Sequence, residues 1–172
     1  MIDRNAVAAH IDNIIEELGQ LKSVLTFTGD IASVPAIDGP PPPDPYPWVA
    51  QAQRYIGLDE IDDKEELMDL FDRAGIVIDP EDTPWCGAFV NAVLHECGVK
   101  GVDSLRARDF ADWGQESVDA YGAIAVFRSH VGFVSKEGYI IGGNQSNSVC
   151  EHKQDYYKNL IGYRIPHPED TI

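Results

Sequence analysis

Val7, Ile11, Ile14, Leu18, Leu21 and Leu25 recur at alternating steps of four and three. Asp12, Asn13, Glu16, Glu17 and Gln20 fill the positions between them. That spacing predicts an amphipathic helix with one apolar stripe. Such a stripe packs on its own domain or docks on a partner, and residues 1–32 are assigned to a docking or oligomerisation helix. Residues 33–47 follow as a linker holding Pro40 to Pro43, Pro45 and Pro47. A run of prolines donates no backbone hydrogen bonds and favours extended polyproline II, a semi-rigid spacer. Residues 48–172 carry the pattern of a domain. Trp48–Ile56, Lys64–Ala74 and Thr83–Cys97 are predicted helices, stopped by Gly57, Gly75 and Gly98 in turn. Beyond Trp113 the period changes to two. Ala123–Phe127, His130–Ser135, Tyr139–Asn144 and Gly162–Ile165 are predicted strands. Helices first and an antiparallel sheet afterwards make an α+β domain.

Composition narrows the possible functions. At 44% hydrophobic and 24% charged, the 172 residues have ordinary globular balance. No apolar run reaches the ~18 residues of a membrane span. The first residues lack the basic start and apolar middle of a secretion signal, so neither a membrane span nor signal-directed export is expected. The 29 acidic residues against 13 basic ones give a net charge of -16. Nucleic-acid binding needs a cationic footprint, and no Lys/Arg cluster supplies one. The acidic stretch from Asp59 to Asp82 does not fit a twelve-residue calcium loop. Cys86, Cys97 and Cys150 form no closely spaced pair of the kind zinc sites use. No metal and no cofactor is expected. On one helix Cys86 and Cys97 would lie ~16 Å apart, too far to bridge, so the thiols are expected reduced.

A cysteine at a helix start has chemical potential. Thr83 is a good N-cap and Pro84 suits the first helical position, which puts Cys86 in the first turn. Unpaired N–H groups and the positive end of the helix dipole favour a thiolate there. Cys97, at the other end, reads as packing. Of the five histidines, His95 points away around the helix, His10 and His167 lie near the termini, and His152 sits in a polar stretch. His130 opens the apolar strand His130-Val131-Gly132-Phe133-Val134, where a polar residue needs a reason. A hairpin with the loop Lys136-Glu137-Gly138 pairs Ser135 with Tyr139, Val134 with Ile140 and Gly132 with Gly142. His130 then faces Asn144, whose side chain would fix the imidazole tautomer in a Cys-His-Asn set. A one-residue slip substitutes Gln145. The Gly132/Gly142 pair is expected to leave space for the Cys86 helix or a substrate.

Pro47-Trp48, Tyr55-Ile56-Gly57, Thr83-Pro84-Trp85-Cys86-Gly87-Ala88-Phe89-Val90, Gly122-Ala123-Ile124, His130-Val131-Gly132-Phe133-Val134 and Gly142-Gly143-Asn144-Gln145-Ser146 occur in that order. In these motifs, from about Tyr46 to Pro166, the chain resembles the phage- and prophage-borne branch of the NlpC/P60 and CHAP cysteine peptidases. The resemblance implies a papain-like α+β fold and peptidoglycan as substrate, with Cys86 as nucleophile, His130 as base and Asn144 orienting it. Asp82, Trp85 and Gln145 are the expected substrate contacts. The N-terminal helix and proline arm lie outside the resemblance, and the acidity contrasts with the basic character common among cell-wall enzymes. The expected function is hydrolysis of the peptidoglycan stem, as endopeptidase or amidase. The enzyme would be made in the cytoplasm, act at the bacterial cell wall, and be carried in a phage virion. Residues 1–47 would tether it to a tail or baseplate protein. A holin-released endolysin and a secreted antibacterial effector share this chemistry. A non-catalytic assembly module, or a papain-like transferase or deamidase acting on protein, are the readings from other classes.

Overall fold

Three α-helices precede an antiparallel sheet in the computed structural model, which describes residues 44–172. The predicted helix at 1–32 and residues 33–43 of the linker lie outside the described residues. Helix α1, Pro47–Gln53, begins on a proline whose missing N–H costs nothing at that position. It buries Trp48, Val49 and Ala52, and single turns then carry the chain past Ile56 to Gly57. Helix α2, Lys64–Arg73, buries Leu67, Leu70 and Phe71. Helix α3, Cys86–Glu96, is buried on every side from Cys86 to Leu94. An all-round apolar helix of this kind is a core element. Its N-cap is Trp85, with no side-chain cap, so Thr83 does not start the helix. The start is set by the Trp85 indole, which is drawn into the core and donates to Glu60 Oε2 at 2.9 Å.

After a 3-10 helix at Ala107–Asp112 come six strands: β1 Gln115–Ser117, β2 Ile124–Phe127, β3 Val131–Lys136, β4 Tyr139–Gln145, β5 Ser148–Lys153 and β6 Leu160–Ile165. They form one sheet in the order β1-β6-β2-β3-β4-β5, and every neighbouring pair is antiparallel. The four predicted strands are present, and β1 and β5 are additional. β1 has three residues, none of them buried, and β5 buries only Val149, so neither carries a clear hydrophobic period.

One sheet face meets the helices through Ile124, Val126, Val131, Phe133, Ile141 and Val149. The other holds a smaller cluster of Ala123, Ala125, Phe127, Val134 and Ile140, covered by Tyr157, Tyr163 and Ile165. The β3–β4 hairpin pairs Val134 with Ile140, as predicted, and Phe133 with Ile141. Nearer the turn, an irregularity sets Lys136 rather than Ser135 opposite Tyr139. A second irregularity interrupts the β4–β5 ladder between Gly142 and Gln145, where Asn144 takes a left-handed φ of 55°. It decides which side chain reaches His130.

Candidate functional site

Cys86 is the first residue of α3, so its own N–H and that of Gly87 belong to the unpaired first turn. The thiol is buried and takes backbone hydrogen bonds from Gly87, Val131 and Cys86 itself. The Val131 bond is available because the β3–β4 pairing ends at Phe133 and Ile141. Two influences oppose each other at this sulfur. Burial pushes the thiol above its ordinary pKa, and the N–H groups pull it down by less. The balance favours the thiol over the thiolate.

His130, immediately before Val131, is 5% exposed. Its Nε2 lies 3.0 Å from Gln145 Oε1. Burial lowers its pKa to about 4; the Gln145 hydrogen bond opposes that shift, and nearby His152 adds to it. Burial thus favours the uncharged form of both the imidazole and the thiol. Among the described residues, the hydrogen bonds to Cys86 Sγ come from backbone N–H groups, not from the His130 ring. Side chains of an active site often draw together only when substrate binds.

The predicted orienting residue is displaced by one position. Asn144 occupies the irregularity with its left-handed φ, and Gln145, 2% exposed, swings inward in its place. The extra residue reverses the alternation beyond Gly142, which is the slip expected of a bulge. The expected empty space between the glycines is filled as well. A Cβ on Gly142 would lie 3.0 Å from His130 Nε2 and 3.1 Å from Gln145 Oε1, so the glycine makes room for that pair. Gly143 faces the helices, and a Cβ there would come within 2.7 Å of Phe89 Cβ and closer still to the Trp85 ring.

The expected substrate contacts fare differently. Trp85 is fully buried, so it supports the start of α3 and is withdrawn from any ligand. Gln145 points at His130 instead of outward. Asp82 is exposed in the turn before α3, its N–H bonded to the Asp79 carbonyl.

Three neighbours of His130 lie in stretches without a strong apolar pattern. Tyr157 stacks on the imidazole with ring centres 4.1 Å apart and planes at 8°. His152, expected as a solvated surface residue, is half-buried opposite Ile140, with its Nδ1 3.4 Å from the Tyr157 hydroxyl. Cys150 lies opposite Gly142, and its carbonyl accepts from Gln145 Nε2. Their one sequence signal is the Tyr156-Tyr157 pair in a polar stretch.

Among the described residues, no group of three or more His, Cys, Asp or Glu is arranged to hold a metal ion. No described helix is long and apolar enough to cross a membrane. In comparisons with known proteins, the chain matches no family model and no curated protein.

Proposed function

We propose that the chain is a papain-like cysteine hydrolase of the NlpC/P60 and CHAP kind, cleaving an amide bond in the peptidoglycan stem. The observation that carries this reading is the Cys86 thiol at the start of a buried helix. It is bonded to the N–H of Val131, next to His130, whose ring is held by Gln145. His130 Nδ1 takes the thiol proton as sulfur attacks the amide carbonyl, and a C–S bond forms. The N–H groups of the first turn of α3 favour the oxyanion of the tetrahedral intermediate. The C–N bond then breaks, and the imidazolium returns its proton to the departing amine. Water, deprotonated by His130, releases the acyl group and restores the thiol.

The substrate assignment rests on the sequence motifs, and so does delivery in a phage virion with residues 1–47 as tether to a tail or baseplate protein. Digestion of purified peptidoglycan, wild type beside Cys86→Ala, tests the chemistry. Wild type should release soluble muropeptides whose masses identify the bond, and Cys86→Ala should release none while melting near the wild-type temperature. Equal release by both would remove Cys86 as nucleophile. Release by neither, with both folded, would favour a protein substrate or an assembly role.

A further inference from the structure

We propose that Tyr157 is a positioning residue of this site, fixing the plane of the His130 ring and the orientation of Gln145; the proposal rests on His130 as base. The Tyr157 ring lies parallel to the imidazole at 4.1 Å. Its hydroxyl donates to Gln145 Oε1 at 2.7 Å, the same oxygen that lies 3.0 Å from His130 Nε2. One side chain therefore holds the imidazole by its face and the imidazole's hydrogen-bond partner by its oxygen.

The direction of the Gln145 amide is settled by its other end, which donates to the Cys150 carbonyl. With the NH2 group committed there, Oε1 is the atom facing both His130 and Tyr157. A carbonyl oxygen only accepts, so His130 carries its proton on Nε2, and Nδ1 keeps the lone pair a base needs. Rotating the ring would cost this hydrogen bond, and tilting it would cost the stack on Tyr157.

Tyr157 is itself supported. Its hydroxyl proton goes to Gln145, so toward His152 Nδ1, at a long 3.4 Å, it is an acceptor. Tyr156 packs edge-on against both Tyr157 and His152, at 5.2 and 5.3 Å between ring centres. The titratable groups near His130 are thus Tyr157 and His152, with Cys150 and Cys86 near the Tyr157 hydroxyl. The second donor on Oε1 has an electrostatic effect as well. Burial already favours the neutral imidazole, and a carbonyl that accepts from Tyr157 is a weaker partner for an imidazolium, which acts in the same direction.

Tyr157→Phe separates these roles because it retains the ring and deletes the hydroxyl. Nitrogen-15 NMR of the histidine rings in the full chain should show the His130 proton on Nε2 in the wild type. In Tyr157→Phe the His130 titration midpoint should rise by roughly half a pH unit, since Oε1 is freed for the imidazolium. On peptidoglycan, kcat should fall about fivefold, with KM within about twofold, for one lost hydrogen bond that positions the base. The acid limb of the rate profile should move up with the NMR midpoint. A wild-type proton on Nδ1, or a His130 titration unchanged in Tyr157→Phe, would overturn the proposal whatever the digestion shows. If peptidoglycan is not cleaved while the NMR behaves as expected, the function assignment fails and the positioning role stands.

Discussion

His130 lies against Tyr157 and Gln145 with almost no access to water, and its acid–base behaviour follows from that. Its pKa falls to about 4 because burial penalises the imidazolium. In the unfolded chain the same group titrates near its ordinary 6.5. Between those values the unfolded state holds a proton that the folded state lacks, so folding stability rises with pH across this window. The contribution is complete above pH 6.5 and is lost as pH falls toward 4. It is of order 3 kcal/mol at most. Urea denaturation at pH 7 and pH 4.5 should show this loss in the wild type and much less of it in His130→Gln. The hydrogen bonds also predict a contrast between adjacent positions. Gln145→Ala removes the acceptor of His130 and should lower kcat at least tenfold, about the energy of a buried hydrogen bond with its partner stranded. Asn144→Gly, which keeps the left-handed backbone, should leave kcat within about threefold, because Asn144 supplies backbone shape and no hydrogen bond to His130. Peptidoglycan digestion rates for the two variants check this. Cys86 and His130 stand out in the sequence as candidates because a cysteine after Thr-Pro-Trp and a histidine opening an apolar strand break local patterns. The choice of Gln145 does not, since it depends on one left-handed residue.

At the level of elements, the start of α3 and the bulge in β4 depend on each other. Trp85 is held from one side by Glu60 and packs on Phe71 and Phe89. Its ring reaches β4 only because Gly143 has no side chain. Gly143→Ala forces a methyl group against Trp85 and Phe89, and should destabilise the fold by about 3 kcal/mol, the upper range for overpacking. A lowered melting temperature, with activity lost in proportion at fixed temperature, is the expected reading by thermal denaturation. The helices and strands β2, β3 and β4 follow from periodicity because burial on one or both faces imposes it. β1 and β5 escape such reading for the opposite reason. They lie at the two edges of the sheet, where polar side chains face solvent and pairing is decided by neighbours distant in sequence. The helix start shows a similar override: Thr83 has the chemistry of a cap, yet the burial of Trp85 places the first turn further on.

Across residues 44–172, contacts distant in sequence tie the layers together. Glu96 of α3 accepts from Gln51 of α1 at 2.7 Å, from Arg73 of α2 at 2.9 Å and from the Tyr55 hydroxyl at 2.6 Å. Burial alone would raise its carboxyl, but these donors outweigh it and hold the group below the usual carboxylate range. The C-terminal residues return to the far end of α3, where Lys100 N–H donates to the Asp170 carbonyl and Ile172 N–H to that of Gly98. The exposed pairs, Lys64 with Asp79 and Glu81 and Lys136 with Glu151, add little to stability in water. A net charge of -16 governs solubility and encounter with other charged surfaces, not the fold. Composition told of that charge directly, whereas the three-way contact at Glu96 required knowing how the helices pack. The packing has an optical corollary. All three tryptophans of the chain, Trp48, Trp85 and Trp113, are buried, at 5%, 0% and 7% exposure. Native emission should therefore be blue-shifted and should move to the red in a single transition on unfolding, without any added dye. Trp85 also precedes Cys86 in the chain, so a quenching label on that thiol should dim part of this emission and report its occupancy optically.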